Sequence, residues 1–190
     1  MPNWCANGIT VRGKDKEQVK RLVEAFDQGK FCNAVIPVPE ELMNPETTTW
    51  GHGEDEAKRQ ALREQLTEKY GFQSWYDFCV ARWGTKWDVG GDTHAQLHDD
   101  ELGFDASFES AWAPPVGVYE ALVDQGFEVT AYYYEPGMQF VGKWEDGDDE
   151  YYEYGGATSD TIREVIGSEL DDYFGISEEL AQWEEENEQD

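Results

Sequence analysis

The 190-residue sequence predicts an α+β fold, an antiparallel sheet with helices on one face. Three observations predict it. Short runs alternate apolar and polar residues, as at Phe104, Ala106 and Phe108. Between such runs lie stretches of helical period that end at glycine. Consecutive strand candidates also meet across a tight turn at Pro136-Gly137, which makes them antiparallel neighbours.

Residues 7–12 (NGITVR) alternate Ile9 and Val11 and read as the first strand. In the following stretch Val19, Leu22, Val23 and Phe26 fall on one helical face, and Gly29 stops the helix. FCNAVIPVPEEL is a short apolar run with Pro37 and Pro39, expected as an edge strand or extended segment. Residues 44–53 read as a loop. Residues 54–70 form a helix whose acids come first and whose Lys69 comes near the end. Ser74 caps a further helix that runs to Trp83 and is closed by Gly84. On that helix Trp75, Phe78, Cys79 and Arg82 share one face, with Trp83 beside it. TKWDV (85–89) is expected as a strand and GGDTHAQLHDDELG as a polar loop.

Residues 104–112 read as a strand, and Pro115 starts the helix VGVYEALVDQG. FEVTAYYYE and MQFVGKWE form a hairpin, and EYYEYG follows the acidic turn DGDDE as another strand. The end of the chain reads as one or two acidic helices that fade into a solvated tail. Ile162, Val165, Ile166, Leu170 and Trp183 are the expected anchors. With residues 40–100 set aside as a helical insertion, a β-α-β … β-α-β-β order remains, close to the ferredoxin-like split β-α-β pattern. Residues 1–154 are then one domain and 155–190 an acidic helical C-terminal extension.

Charge is the most informative quantity. The net charge is −28, and it is polarised along the chain. Every lysine and arginine except Lys143 and Arg163 precedes residue 88, where acids and bases nearly balance. The remainder carries almost all the net charge. Such a field repels nucleic-acid phosphates and attracts basic proteins. Aromatics make up 14% of the chain, ample material for a core, so the chain is not of the disordered class. No apolar run approaches a membrane span, and the N-terminus lacks the pattern of a secretory signal. A cytoplasmic protein is expected. Cys5, Cys32 and Cys79 are odd in number and widely spaced, with no C-x-x-C pair, and read as buried free thiols.

Five blocks occur in order: PNWCAN, VIPVPEEL, WYDFCVARWGTKWDV, FESAWAPPVGVYEAL and AYYYEPGMQFVGKW. Together they make the chain resemble the YubB-like proteins of phages and conjugative plasmids, clearest from Pro2 to Trp144. The resemblance implies a mobile-element origin and a ferredoxin-like domain. It implies no substrate, cofactor or catalytic residue.

Local constellations give little chemistry. Gly84-Thr85-Lys86 has a helix before it and a strand expected after it, the reverse of a phosphate loop. His94, His98, Asp99 and Asp100 include metal-ligand types but lack a third-ligand pattern, and a solvated loop accounts for them. Asp146, Asp148 and Glu150 alternate like a calcium loop, yet Tyr151 stands where glycine is required. Tyr132, Tyr133 and Tyr134 on a sheet suggest base stacking, but the RNP pattern is absent and the segment is acidic. No catalytic residue, metal or cofactor is assigned.

The expected function is therefore a non-enzymatic accessory protein that binds a basic host or element protein through an acidic face. One form of this reading is a nucleic-acid mimic that opposes host defence. Opposed to it is a plain reading, in which the acidic segment is a solvated surface and tail that confers solubility on a structural protein. The acids assigned to that face are Asp146, Asp148, Asp149, Glu150, Glu169, Asp171 and Asp172. The alternative is a small enzyme or ligand-binding domain with a pocket lined by Trp75, Cys79, Lys86 and Trp87. Direct nucleic-acid binding and membrane association are not expected.

Overall fold

The computed structural model describes residues 3–48 and 54–187. The expected strands β1 (Trp4–Arg12), β3 (Gly103–Ala111), β4 (Glu128–Glu135), β5 (Phe140–Glu145) and β6 (Asp148–Glu153) all form. A two-residue strand, β2 (Gln96–Leu97), lies inside the expected polar loop. The sheet order is β2-β3-β1-β4-β5-β6, and every adjacent pair is antiparallel. β3 and β4 therefore run parallel to each other with β1 between them. The helix α5 (Val116–Asp124) joins them, which makes a split β-α-β unit. From β4 the chain continues as a meander. The turn from β5 to β6 is Asp146-Gly147, both at positive φ, as a two-residue hairpin of matching twist requires.

One face of the sheet is covered by helices, as expected. Here α1 (Lys16–Asp27), α2 (Phe31–Val35), α4 (Trp75–Arg82) and α5 pack on Cys5, Ile9, Val11, Phe104, Val129, Tyr133 and Trp144. Asn7 is buried in this layer with its amide satisfied: it donates to the Cys5 carbonyl and Ser110 hydroxyl and accepts from Tyr119. The long α3 (Glu54–Tyr70) joins the core edge through Leu66. Gly117 lets α5 approach α4; a Cβ there would stand 2.2 Å from the Arg82 carbonyl oxygen.

The C-terminal helices α6 (Ile162–Phe174) and α7 (Ile176–Asn187) lie against the opposite face. Alternation along the strands produces this second layer. On β4, Ala131 and Tyr133 point into the first core, while Tyr132 and Tyr134 point the other way. Tyr134, Val141 and Tyr154 meet Ile162, Ile166, Leu170 and Ile176. Only the β4–β6 half is roofed in this way. Val165 and Trp183, expected as anchors, are exposed instead: the buried stripe of α6 runs through Ile162, Ile166 and Leu170, and α7 meets the second core through Ile176 and Leu180.

Two expected segments differ. FCNAVIPVPEEL forms α2 and then a 3-10 turn at Glu40–Met43, followed by another at Pro45–Thr47. The expected loop 44–53 is described only through residue 48. TKWDV forms no strand. One contact joins the two segments: the Asp88 carboxylate accepts from the Cys32 and Asn33 amides at 2.7 and 3.1 Å. It caps α2 and ties the middle of residues 85–93 to that helix. Gly90 and Gly91, at φ 92° and 83°, then bend the segment over Phe26. Ser74 does cap α4, accepting from the Asp77 amide at 3.3 Å. Phe78, Cys79 and Trp83 are buried along that helix, but Arg82 is exposed, because the buried arc turns toward Trp83.

Candidate functional site

The seven assigned acids fall into two groups. Glu169, Asp171 and Asp172 lie on α6 and take up the two cations of the acidic segment. Lys143 reaches Glu145 and Glu169, each at 3.2 Å, and Arg163 reaches Asp171 and Asp172, each at 2.6 Å. Asp171 is a correction to the expected surface set: it is fully buried. Its carboxylate accepts from Arg163, from the Ser177 amide at 2.7 Å and from the Ser177 hydroxyl at 2.8 Å. It thereby braces the α6–α7 corner. Burial pushes this carboxyl up, but Ser177 and Arg163 outweigh that and hold it below the usual range. Glu169 also sits low, held by the Tyr132 hydroxyl and the Lys143 ammonium.

The other four acids lie on the β5–β6 hairpin. Asp146 accepts from the Val129 amide at 2.8 Å, and Asp149 accepts from the Tyr133 hydroxyl at 2.6 Å. Asp148 and Glu150 project to solvent. Glu164 on α6 and Glu185 on α7, which the sequence reading did not assign, are exposed like them. These carboxylates ride on elements fixed by the second core. The tyrosine run offers no open stacking surface: Tyr133 and Tyr134 are buried, and Tyr132 stacks on Tyr173 at 4.3 Å.

The four assigned pocket residues do come together. Trp75, Cys79, Lys86 and Trp87 line one cleft of about 560 Å³, joined by Trp83, whose indole donates to the Ile36 carbonyl at 2.9 Å. The Lys86 ammonium lies over Trp87 at 4.5 Å, Trp112 at 5.2 Å and Tyr76 at 5.7 Å, so it is held by aromatic faces. The Cys79 thiol is pushed up to about 12, first by burial and then by the nearby Asp88 charge. Cys5 is likewise pushed up to about 12 by burial, and burial raises Cys32 as well. None of the three has the low pKa of a thiolate nucleophile.

The histidine loop is likewise dispersed. His98 contacts Asp105 and Arg12, whereas exposed His94 approaches Asp27 at 3.5 Å. Among the described residues no three His, Cys, Asp or Glu side chains are grouped to hold a metal ion. No described helix is long and apolar enough to cross a membrane.

Trp4, Trp87 and Trp112, far apart in sequence, converge on the surface and are 44%, 39% and 40% exposed. Trp4 packs on Trp87 at 5.9 Å, and Trp112 meets Tyr76 edge-on at 6.4 Å. Trp112 has φ 72°, an unusual value for a bulky residue, and its amide donates to the Asn3 carbonyl. Their separation in sequence hides this cluster; the register of β1 against β3, Trp4 opposite Ala111, sets Trp4 near Trp112, and the Thr85 hydroxyl on the Ala111 carbonyl brings in Trp87.

Fold and surface define an α+β sheet protein with a balanced helical layer on one face and an acidic helical layer on the other. No family model matches the chain, and no curated protein matches it. A solved structure that it resembles is the crystal structure of the protein api92 from Yersinia pseudotuberculosis, of the family DUF1281. The two share 12% identity over 83% of this chain and 99% of that one, with a TM-score of 0.41, a likeness too distant to bear on activity.

Proposed function

We propose that this chain is a non-enzymatic accessory protein of a phage or other mobile element that binds a basic protein through its acidic layer. The observation that carries this is the state of the carboxylates on β6, α6 and α7. The cations of the acidic segment are consumed internally by Glu145, Glu169, Asp171 and Asp172. Asp148, Glu150, Glu164 and Glu185 face solvent from a packed scaffold. Carboxylates held this way present charge where a basic protein expects phosphates, which is the logic of a nucleic-acid mimic that opposes host defence. The five-block resemblance supports the mobile-element setting.

The test is a pull-down from host lysate with wild type and with the variant D148N/E150Q/E164Q/E185Q, followed by salt titration of the purified complex. Affinity is expected to fall steeply from about 0.05 M to about 0.5 M salt, as screening shortens to a few ångströms. A complex indifferent to both salt and the variant would sink the reading.

A second reading rests on the cleft. Trp75, Trp83 and Trp87 with Lys86 form a mainly apolar recess that suits a small aromatic or acidic ligand. Quenching of tryptophan fluorescence by such a ligand, lost in Lys86→Ala and Trp75→Ala, would favour it over the acidic layer.

A further inference from the structure

Residues 85–93 are bolted at both ends to the outer edge of β3. The Thr85 hydroxyl donates to the Ala111 carbonyl at 3.0 Å, and the Thr93 hydroxyl donates to the Ser107 carbonyl at 2.6 Å. Between those points the segment stands off from the strand, leaving a hollow of about 530 Å³ bordered by Trp4, Trp87, Asp92 and Glu109. β2 pairs only with Phe104 and Asp105, so among the described residues β3 beyond them has no strand on this side. Main-chain groups of alternate residues point the same way along a strand. Because the Ser107 and Ala111 carbonyls face the segment, the N–H and C=O of Glu109 face the hollow.

A second hollow, of about 430 Å³, shares Thr93 and Ser107 with the first. It continues over the half of the sheet that α6 and α7 leave bare and ends at the stacked Tyr132 and Tyr173. Its floor is small, with Gly8 lying directly under Tyr173. Among the described residues no lysine or arginine lines either hollow, whereas Asp88, Asp92, Asp105 and Glu109 do. Asp88 is committed to α2, and Asp105 accepts from Thr10 and contacts His98. Asp92 and Glu109 are exposed, and among the described residues neither has an ion pair.

We propose that this channel seats an extended, arginine-bearing segment of the partner, its main chain passing Glu109 between the two threonine contacts to β3. The inference rests on the reading that the partner is basic, and it names the surface that grips it. Arginine fits better than lysine because its guanidinium both stacks on an indole and forks onto a carboxylate. Lys86 already covers Trp87, which leaves Trp4 as the stacking ring and Glu109 as the carboxylate. The acidic layer then steers the partner, and the channel holds it. Phosphate-bearing ligands would meet four carboxylates here.

The experiment is an anisotropy titration of the full chain with labelled peptides of about eight residues, alternating glycine with arginine, lysine or glutamate. The arginine peptide is expected to bind, the lysine peptide to bind more weakly and the glutamate peptide not at all. Glu109→Arg should weaken arginine-peptide binding about tenfold or more, with Glu109→Gln and Trp4→Ala giving smaller losses. Glu109 is exposed, so both of its variants should keep the wild-type thermal midpoint. Absence of arginine-peptide binding, or an unchanged affinity in Glu109→Arg, overturns the proposal. If the acidic-layer variant loses the lysate partner while Glu109→Arg keeps it, the channel fails and the general reading stands. If both variants keep it with no salt effect, both fail.

Discussion

Asp171 shows how one carboxylate in an acidic run can belong to the fold and not to the surface. Its neighbour Asp172 is exposed, yet Asp171 is enclosed and saturated by Arg163 and Ser177. The sequence could not separate the two, because the distinction depends on the bend at Gly175, in left-handed conformation, which swings Ser177 back onto Asp171. Asp171→Ala leaves the Ser177 amide without its acceptor and removes one of the two carboxylates that hold Arg163, and should cost about 2–4 kcal/mol in denaturant unfolding. The pH dependence has a definite sign. The folded form holds this carboxyl below its ordinary 3.8. Its stabilisation is therefore complete above that value and is lost as pH falls through the lower, folded one. Near-ultraviolet circular dichroism of the tyrosines should report loosening of α6 and α7 below about pH 4, with Asp171→Asn removing part of that dependence. The thiols give a separate check. Cys5 and Cys79, each pushed up to about 12 and buried, should resist a thiol reagent near pH 8 until denaturant is added.

At the scale of elements, what was legible followed from periodicity. β1, β3, β4, β5, β6 and α1, α3, α4, α5 were readable because each satisfies its own pattern locally. α2 and residues 85–93 were not, since each is shaped by the other: Asp88 caps a helix more than fifty positions earlier. A short apolar run in isolation reads as strand or helix alike. Gly90 is the pivot of this arrangement. A Cβ there would stand 2.1 Å from the Phe26 carbonyl oxygen, on backbone already at φ 92°. Gly90→Ala should therefore cost about 2–4 kcal/mol, both strain and clash contributing. Gly147 is the contrast: φ is 108°, but among the described residues nothing beyond its chain neighbours lies within 4 Å of the added methyl. Gly147→Ala should cost only about 1 kcal/mol. Denaturant midpoints of the two variants, compared side by side, would separate clash from backbone conformation.

At the scale of the molecule, the sheet has two unequal coverings. The first layer encloses Phe26, Phe31 and Trp144; the second rests on a smaller cluster built around Ile162, Ile166, Leu170 and Ile176. Ile166→Ala should cost about 2–5 kcal/mol and release the acidic helices before the main core melts, visible as a first step in hydrogen exchange. The candidate pocket was legible because all four assigned members, Trp75, Cys79, Lys86 and Trp87, lie within thirteen residues. The channel beside β3 was not, since its walls come from β1, β3 and the stand-off segment. Net charge adds an opposed pair of salt effects. Screening relieves self-repulsion in a chain of charge −28, so the thermal midpoint should rise with added sodium chloride while partner affinity falls. Finally, the placement of α6 and α7 on the face opposite α1–α4 separates charge in space as well as in sequence. Every lysine and arginine except Lys143 and Arg163 belongs to the part before residue 88, so the molecule carries a permanent dipole across the plane of its sheet. A basic body nearing it in dilute salt would feel a torque before it felt a contact, and would arrive with the acidic side already turned toward it.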